Sequence, residues 1–271
     1  MSEKAVSILG CGWLGFPLAE RLIEMGYTVK GSTTSPDKVP DLQRAGIRPF
    51  CLKAQPQVSG NGIQSFFESD ILFLNIPFRR NLADPDFYRQ QVQSVAELVE
   101  RSPVDFVVFA SSTSVYPSSL ADASEDAPFE ADNGRAEALL AAERLLMRNR
   151  KFDATIVRFA GLYGGGRQIG RLLAGRSGVP EAGAPVNLIH LEDCLRIAAQ
   201  IIREHIKGEI FNACSDGHPT RKELYTAAAE KQGFKAPLFA DAPHTRSKIV
   251  NNSKLKSRLN YAFRHPDPLV F

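Results

Sequence analysis

Three glycines close to the start of the chain constrain its fold more than any other feature. An apolar run at residues 6–9 leads into Gly10, Gly12 and Gly15, and a helical pattern follows at once over residues 16–25. In this spacing the first glycine lets the backbone turn sharply out of a strand, the second lets it approach a pyrophosphate, and the third lets helix and strand pack closely. The pattern therefore predicts a dinucleotide-binding turn between a first strand and a first helix.

A phosphate at this turn is expected to lie on the helix N-terminus, where unpaired N–H groups and the helix dipole favour an anion. The candidate cofactor-binding residues of the turn are Gly10, Gly12, Trp13, Leu14 and Gly15. The alternative is a purely structural turn, because glycine-rich turns are common in proteins.

Length, charge and cysteine usage narrow the class of protein. The 271 residues suffice for one large core or for a main domain with a small lobe, and a net charge of +3 predicts neither nucleic acid nor membrane as a partner. We find no apolar stretch of about 18 residues and no signal-peptide pattern, so we expect a cytoplasmic protein. The four cysteines are widely spaced and are expected to be buried thiols: Cys11, Cys51, Cys194 and Cys214.

Short apolar runs alternate with longer amphipathic stretches along the chain, which is typical of βαβ units around a parallel sheet. The predicted strands cover residues 6–9, 28–32, 48–52, 71–76, 106–110, 155–158 and 210–213. Further helices are predicted over residues 86–100, 136–147, 191–204 and 221–232. We predict an α/β fold, a Rossmann-type doubly wound parallel sheet with a small C-terminal substrate lobe. Residues 1–160 would form the dinucleotide-binding domain and residues 161–271 the lobe, with the strand near 210–213 returning to the main sheet.

The end of the second predicted strand bears on which cofactor is bound. An NAD-binding fold usually has Asp or Glu at this point, to accept hydrogen bonds from the adenosine ribose. Here the chain has Ser32, Thr33 and Thr34, followed by Lys38. Hydroxyls and an ammonium group suit a 2′-phosphate, so NADP(H) is favoured and NAD remains the alternative. An ordinary polar turn is the other interpretation, and Asp37 beside Lys38 weakens the phosphate interpretation.

Four segments, in order along the chain, resemble motifs of one known superfamily. They are Phe-Ala-Ser-Ser-Thr-Ser-Val-Tyr at 109–116, Val-Arg-Phe-Ala-Gly-Leu-Tyr-Gly at 157–164, Asn-Leu-Ile-His-Leu-Glu-Asp at 187–193 and Ile-Phe-Asn-Ala at 210–213. The chain resembles the extended short-chain dehydrogenases/reductases, of the NAD-dependent epimerase/dehydratase type. Its Gly-Trp-Leu-Gly turn and its closing Pro-Asp-Pro-Leu-Val are similar to an atypical YeeZ-like group within that branch.

The resemblance implies a nicotinamide cofactor and assigns further site residues. Asn75 and Pro77, after the fourth predicted strand of the main sheet, would lie beside the nicotinamide ribose. Ser112 takes the position of the serine that polarises a carbonyl group, and a shift in the alignment would put Ser111 or Ser114 there instead; Ser111 is assigned to the cofactor. The alternative is that these serines only satisfy backbone groups at a polar strand end. A homodimer formed through helices is common in the superfamily.

The Tyr-x-x-x-Lys pair of active members is missing. In those members the lysine charge lowers the pKa of the tyrosine, so that the phenol exchanges protons near neutral pH. Alignment on Glu143 puts Arg135 at the tyrosine position and Leu139 at the lysine position. No tyrosine occurs between Tyr116 and Tyr163. Arginine keeps its proton, so Arg135 is either an anchor for an anion or oxyanion, or a surface residue.

Other groups are candidates to replace the lost acid or to bind substrate. Tyr116 and Tyr163 are the candidate proton donors, and either is predicted to face a cleft. His190 lies in a segment whose family counterpart is close to the cofactor, although a structural histidine is the alternative reading. The remaining histidines, His205, His218, His244 and His265, have no metal-ligand spacing, so we predict no metal site.

Three glycines at 164–166 precede a basic, flexible stretch containing Arg167, Arg171 and Arg176. Arginines bind anions bidentately, so this stretch is either a substrate-binding loop or a solvated surface.

Two functions stay open. The first is an NADP(H)-dependent oxidoreductase or epimerase-like enzyme acting on a small molecule, anionic or a nucleotide sugar. The second is a catalytically inactive nucleotide-binding sensor or partner-binding module.

Overall fold

The computed structural model describes residues 4–78 and 86–270, and its main feature is an eight-stranded sheet. The strand order is β11-β8-β6-β5-β1-β2-β3-β4. The pairs β1–β2, β1–β5, β2–β3 and β5–β6 are parallel, while the short β4 runs antiparallel to β3. Two further sheets have two parallel strands each, β9–β10 and β7–β12.

The strands and helices alternate along much of the chain. The strands are β1 Ala5–Leu9, β2 Thr28–Thr33, β3 Arg48–Ala54, β4 Val58–Gly60, β5 Ile71–Leu74, β6 Phe106–Ser112, β7 Asp122–Ala123, β8 Asp153–Phe159, β9 Gly161–Tyr163, β10 Leu188–His190, β11 Ile210–Ala213 and β12 Ile249–Val250. The helices are α1 Gly15–Glu24, α2 Val39–Arg44, α3 Ile63–Phe67, α4 Asp86–Val99, α5 Gly134–Met147, α6 Leu191–Glu204, α7 Arg221–Lys231 and α8 Ser253–Leu259.

The predicted α/β fold class is confirmed, because the predicted apolar runs form strands of the main sheet. The run at β5 is buried at every position, as expected for a strand covered on both faces. The predicted helix 191–204 is observed as α6 with the same bounds, and the predicted strand 210–213 as β11. The small strands β4, β7, β9, β10 and β12 were not predicted, since two or three residues carry too little periodicity to be recognised.

The order of the main sheet reverses at β1, which has β2 on one side and β5 on the other. In open α/β sheets, ligands bind beyond the carboxyl ends of the strands at such a reversal point. The glycine turn follows β1 directly, and Asn75 follows β5 directly. The fold therefore puts the predicted nucleotide turn where a parallel sheet offers a crevice.

The chain forms two compact units that do not follow a single cut in the sequence. The first unit comprises Met1–Val115, Asn133–Val157 and Leu195–Ile210, and the second comprises Tyr116–Asp132, Arg158–Cys194 and Phe211–Phe271. The predicted boundary at residue 160 lies close to the observed change from the first unit to the second after Val157. Two internal segments differ from the predicted division. Residues 116–132 belong to the second unit, and most of α6 belongs to the first.

A buried carboxylate organises the C-terminal segment of the second unit. Asp193 is fully buried, and its two oxygens accept hydrogen bonds from the Tyr261 hydroxyl (2.7 Å) and from the backbone N–H groups of Arg264 (2.8 Å) and His265 (3.0 Å). A buried carboxylate is tolerated when several donors replace its water shell. These bonds fix residues 261–265 on the first turn of α6.

The glycine turn allows a direct test of the packing. A Cβ atom at Gly15 would lie 2.3 Å from the carbonyl oxygen of Gly10, whereas one at Gly12 would meet no atom within 4 Å. We expect Gly15→Ala to lower the free energy of unfolding by about 1–3 kcal/mol, because backbone would have to shift. Gly12→Ala is the matched control and should leave stability within about 0.5–1 kcal/mol of the wild type. Denaturant titration measures both, and equal stabilities would contradict this packing.

Candidate functional site

The glycine turn in the first unit is fastened to β2 by one serine. The N–H of Gly10 donates to the Ser32 hydroxyl oxygen (2.9 Å), and the N–H of Cys11 donates to the Ser32 carbonyl (2.8 Å). Ser32 is 3% exposed. The Ser32 hydroxyl oxygen therefore holds the turn, a role that the sequence did not indicate, and its binding of a 2′-phosphate through the O–H stays a prediction.

The first and third glycines are required by close contacts. Gly10 has φ +110°, and a Cβ there would lie 2.3 Å from the carbonyl oxygen of Asn75. The Asn75 side-chain amide donates to the Gly10 carbonyl (2.9 Å), which links the ends of β1 and β5. Asn75 is thus a support of the turn as well as a residue of the predicted site.

The second glycine faces open space. Gly12 is exposed, and apart from its own neighbours in the chain no atom of residues 4–78 and 86–270 lies within 4 Å of the position its Cβ would take. Helix α1 begins at Gly15, its N-cap residue Leu14 makes no side-chain cap hydrogen bond, and its first turn carries no acidic residue. An uncapped helix start next to open space suits an anion, since the dipole and the N–H groups attract negative charge. Trp13 is half-buried within the same turn.

The polar residues at the end of β2 and just after it differ in how exposed their side chains are. Thr33 is buried, and its hydroxyl oxygen accepts from the Ser35 N–H (3.1 Å) in a local turn. Thr34 and Lys38 are exposed, and Lys38 ends a single 3₁₀ turn at Pro36–Lys38. Of the four residues that the sequence singled out here, Thr34 and Lys38 are therefore the ones whose side chains lie in solvent.

The two neighbouring serines at the end of β6 have different surroundings. The Ser111 hydroxyl donates to the Glu143 carboxylate (2.5 Å), and both side chains are buried. Ser112 is half-buried, and its hydroxyl oxygen accepts from the Ser114 N–H (3.2 Å). Ser111 thus ties β6 to α5, a role that its assignment to the cofactor did not anticipate, and Ser112 is the more accessible hydroxyl.

Arg135 and Leu139, which the sequence predicts at the positions of the family tyrosine and lysine, have different surroundings. Arg135, in the first turn of α5, holds its guanidinium carbon 5.3 Å from the centre of the Phe78 ring. Phe78 follows Asn75 and the exposed Pro77 beyond the end of β5, so Arg135 lies beside the segment predicted to contact the nicotinamide ribose. Leu139 is 3% exposed and is part of the core. Arg135 contributes a fixed positive charge here, and Leu139 contributes only packing.

Tyr116 is enclosed in a polar network of the second unit. It is 2% exposed, its hydroxyl donates to Asn212 Oδ1 (2.9 Å), and it accepts from the Arg158 guanidinium (2.6 Å). Burial raises the pKa of Tyr116, and the nearby Arg158 opposes this rise only in part. This position argues against Tyr116 as the proton donor and corrects the expectation that its phenol faces a cleft.

Tyr163 is also buried, at 3% exposure. Burial raises its pKa to about 12, and the negative charge of Asp193 contributes to the rise. A phenol with a pKa this high holds its proton throughout the physiological range, whereas a general acid works best with a pKa near the operating pH. Neither tyrosine thus has the environment that a paired lysine creates in active members of the superfamily.

Comparison with known proteins decides the family. A model of the NAD dependent epimerase/dehydratase family matches residues 6–214 of this chain.

The chain belongs to the NAD dependent epimerase/dehydratase family. This confirms the resemblance seen in the sequence. The protein YeeZ of Escherichia coli (strain K12) is 32% identical to it over 270 residues, covering 98% of each chain. A structure of MoeE5 in complex with UDP-glucuronic acid and NAD is similar in fold, with a TM-score of 0.81 at 21% identity, covering 98% of this chain and 96% of the other. A UDP-glucose 4-epimerase from Thermotoga maritima, with UDP-glucose, has a TM-score of 0.80 at 17% identity and coverage of 98% and 96%.

Two histidines of this family member meet in the second unit, although 75 residues separate them in the sequence. The rings of His190 and His265 stack with centroids 3.7 Å apart, and His265 Nε2 lies 3.1 Å from a carboxylate oxygen of Glu192. The ligand atoms of these three residues lie within 4.8 Å of one another, as in some metal sites. Spacing along the chain gave no sign of this group, because the contact depends on how the C-terminal segment folds back.

The hydrogen bonding of His190 weighs against metal binding at this group. His190 Nδ1 accepts from the Glu192 N–H (3.2 Å), so the ring proton of neutral His190 is on Nε2. A Cβ at Gly164 would lie 2.2 Å from that Nε2, so this edge of the ring packs on the Gly164 backbone. A metal at Nε2 would move the proton to Nδ1, where it would face the Glu192 N–H. We conclude that His190 has a structural role, in which its Nδ1 accepts a hydrogen bond from the backbone at the start of α6.

The basic loop after β9 lies in solvent. Arg167, Arg171 and Arg176 are all exposed, and a backbone hydrogen bond from Arg167 N to Gly164 O (3.0 Å) closes the triple-glycine turn. The structure places these arginines at the surface of the second unit. They remain candidates for binding an anion.

No helix within residues 4–78 and 86–270 has the length and apolar character needed to cross a membrane.

The stacked histidines predict a pH dependence of stability. Burial lowers the pKa of His190, and the neighbouring His265 lowers it further, while Asp193 and Glu192 oppose the shift. A lowered folded-state pKa means that the unfolded chain binds the proton more readily, so His190 destabilises the fold as pH falls below about 6.5. We expect His190→Asn to lose less stability than the wild type between about pH 7 and about pH 5, measured by denaturant titration. Asparagine keeps an acceptor for the Glu192 N–H, and identical slopes for the two proteins would contradict the assignment.

Proposed function

We propose that this protein binds a nicotinamide dinucleotide at the Gly10–Gly15 turn, with NADP(H) preferred over NAD(H), and uses it in an oxidoreductase or epimerase/dehydratase-like reaction. The observation that carries the proposal is the open space at Gly12 beside the uncapped start of α1. Gly10 and Gly15 flank Gly12 in the turn, and neither position accepts a side chain, because a Cβ at either one would lie 2.3 Å from a backbone carbonyl oxygen. The family to which the chain belongs is consistent with this assignment.

The preference for NADP(H) rests on charge at the end of β2. The segment Ser32–Lys38 has no carboxylate at the strand end, where a ribose-binding Asp or Glu would be, and Thr34 and Lys38 are exposed there. A hydroxyl and an ammonium group stabilise a 2′-phosphate, which a carboxylate would repel. Asp37 is also exposed and reduces the net positive charge of the segment.

A nucleotide sugar is the proposed substrate class. MoeE5 was solved with UDP-glucuronic acid and with UDP-glucose, and the Thermotoga maritima epimerase with UDP-glucose, and this chain is similar in fold to both. The second unit carries the basic side chains Arg167, Arg171 and Arg176, which suit phosphate or carboxylate groups.

In the proposed chemistry the Ser112 hydroxyl donates to a carbonyl oxygen of the substrate. A bound nicotinamide would supply or accept a hydride. Arg135 stabilises negative charge and keeps its own proton, so it acts electrostatically and not as an acid. Tyr116 is left out of this scheme because Arg158 and Asn212 engage its hydroxyl. Tyr163 stays a candidate donor only if its surroundings change when substrate binds.

The second candidate function is a nucleotide-binding sensor or partner-binding module without catalysis. The buried Leu139 at the position of the family lysine favours it, since a core leucine can neither bind a ribose nor lower a pKa. Both functions require the nucleotide site, and they differ in turnover alone.

The nucleotide site is tested by titrating NADPH and NADH while following the fluorescence of Trp13, the only tryptophan. We expect quenching or energy transfer, with NADPH saturating at a lower concentration than NADH. Gly12→Val should abolish both responses without unfolding the protein, because its side chain would fill the open space. Gln43→Val, on the exposed face of α2, is the control and should bind normally. Unchanged affinity in folded Gly12→Val would refute the site.

The cofactor preference is tested at Lys38. We expect Lys38→Gln to weaken NADPH binding by about 5- to 10-fold, since a charge-assisted hydrogen bond in solvent contributes about 1–1.4 kcal/mol. The dissociation constant for NADH should stay the same, because NADH has no 2′-phosphate. Lys53→Gln, at an exposed position of β3, should alter neither. An equal loss for the two cofactors would show that Lys38 does not read the 2′-phosphate.

Turnover separates the two functions. Purified protein with bound NADPH or NADP⁺ is incubated with UDP-glucose or UDP-glucuronic acid, and the absorbance of the cofactor and the identity of the sugar are followed. The enzyme function predicts a change in one of them that Ser112→Ala reduces by about 100-fold or more, the loss typical of a removed oxyanion donor. Tight cofactor binding with no turnover on a broad set of carbonyl and sugar-nucleotide compounds would favour the sensor function.

A further inference from the structure

A cavity of the first unit lies at the amino ends of β1 and β2, away from the glycine turn. It has a volume of about 420 Å³, and we call it the basal cavity; it is lined by Lys4, Met25, Gly26, Tyr27 and Arg203. The glycine turn follows the carboxyl end of β1, so the length of that strand, about 16 Å, separates the two places. The volume is within the range of small-molecule pockets, about 300–1,000 Å³.

Gly26 leaves one wall of the basal cavity without a side chain. Its φ is +87°, and apart from its own neighbours in the chain no atom of residues 4–78 and 86–270 lies within 4 Å of the position its Cβ would take. The Gly26 N–H donates to the Ile23 carbonyl (2.9 Å), and the Tyr27 N–H donates to the Leu22 carbonyl (3.0 Å), as in a Schellman helix end. The backbone of this wall is therefore fixed by the end of α1.

Lys4 supplies a positive charge at the cavity. Its side chain is exposed, and its ammonium group donates to His205 Nε2 (2.6 Å), a nitrogen that accepts only when the histidine is neutral. Burial lowers the pKa of His205, and the charge of Lys4 lowers it further, while Asp105 opposes the shift. The partner of Lys4 is thus a neutral ring, and its ammonium group keeps its charge.

Arg203 brings a second cation to the phenol of Tyr27. Burial raises the pKa of Tyr27, and the positive charge of Arg203 opposes this rise, so the guanidinium lies near the phenol oxygen. The guanidinium is also paired with the Glu204 carboxylate (2.7 Å), and both of these side chains are exposed. A guanidinium has five N–H donors, so this ion pair leaves donors for a further acceptor.

The carboxylates near Lys4 and His205 are outside the lining of the cavity. Asp70 accepts from the Ala5 N–H (2.7 Å), and Asp105 accepts from the Lys207 ammonium group (3.0 Å). The polar side chains that do line the cavity end in an ammonium group, a guanidinium and a phenol hydroxyl, all of which donate hydrogen bonds. The lining therefore suits a ligand whose polar group accepts them.

Two side chains give the basal cavity an apolar surface. Met25 is 36% exposed, and the ring of Tyr27 is half-buried. A thioether and an aromatic ring both make favourable contacts with the face of an aromatic group. The cavity thus combines apolar surface with a few convergent polar groups, as ligand pockets do.

We propose that the basal cavity binds a small aromatic carboxylate, with its carboxylate on Lys4 and Arg203 and its ring against Met25 and Tyr27. A structural role explains Arg203, since a cation in the last turn of α6 complements the helix dipole. That role does not explain a lysine before β1, an exposed methionine and an open glycine at the same place. A carboxylate is favoured over a phosphate because Glu204 repels a second negative charge. The site is separate from the nucleotide turn and goes beyond the proposed function.

Nuclear magnetic resonance of the ¹⁵N-labelled full-length protein tests the site with three probes: 2-naphthoate, the neutral 2-naphthamide and the dianion 2-naphthyl phosphate. We expect 2-naphthoate to shift the amide signals of Gly26 and Tyr27 saturably, without shifting Gly12, and to bind at least about fivefold more tightly than either other probe. Equal affinity for the amide would overturn the anion site, and tighter binding of the phosphate would overturn the carboxylate assignment. No shift of Gly26 and Tyr27 with 2-naphthoate would overturn the site itself.

Variants give a second measure. Calorimetry should show that Lys4→Gln and Arg203→Gln each weaken 2-naphthoate binding by about 5- to 10-fold, because each removes a charge-assisted hydrogen bond. Lys53→Gln, at an exposed position of β3, is the control and should bind as the wild type does. Thermal unfolding checks that each variant is folded. Wild-type affinity in both folded cavity variants contradicts the proposal.

The basal cavity and the nucleotide turn can fail separately. Gly12→Val should lose the NADPH response and bind 2-naphthoate normally. Loss of the NADPH response in the wild type would refute the nucleotide site and leave 2-naphthoate binding intact. Displacement of 2-naphthoate by NADPH, or its loss in folded Gly12→Val, would assign the probe to the nucleotide turn and refute the basal site alone.

Discussion

The carbonyl oxygen of Gly10 is the point on which the arrangement of the nucleotide turn depends. It accepts hydrogen bonds from the Gly12 N–H and from the Asn75 side chain, each at 2.9 Å. The position of a Cβ at Gly15 would lie 2.3 Å from the same atom. One backbone group thus joins the end of β1, the end of β5 and the start of α1. Gly12, which lies between Gly10 and Gly15 in the turn, is the glycine of the three whose Cβ position is open.

The first unit keeps this nucleotide turn while departing from the usual proton-transfer residues. Arg135, predicted at the position of the phenol of active relatives, has a permanent charge, and Leu139, predicted at the position of their ammonium group, is packed in the core. A guanidinium can stabilise an oxyanion, but it does not exchange protons at physiological pH. Any catalysis by this chain therefore has to combine electrostatic stabilisation with a proton donor other than the familiar pair.

The second unit contains polar groups whose roles differ sharply despite similar residue types. Arg158 is buried, and its guanidinium donates a hydrogen bond to the Tyr116 hydroxyl, so its charge interacts with a group inside the unit. Lys248 is half-buried, and its ammonium group donates to the Tyr116 carbonyl; burial lowers its pKa, and the nearby Asp132 opposes this shift. Asp193 is buried as well, but three donors satisfy it.

The sequence by itself determined the fold class, the bounds of most long elements and the glycine turn, because these depend on residues close together in the chain. The spacing of Gly10, Gly12 and Gly15, for example, is a local property that hydrophobic periodicity places after a strand. Tertiary structure alone decided which polar groups are available. Ser32 is bonded to Gly10, Ser111 is bonded to Glu143, and Tyr116 is bonded to Asn212, 96 residues away. Lys248 reaches the Tyr116 carbonyl across 132 residues. The physical reason is that a hydroxyl or an ammonium group is equally compatible with solvent, a partner or a ligand, and only long-range packing selects among them.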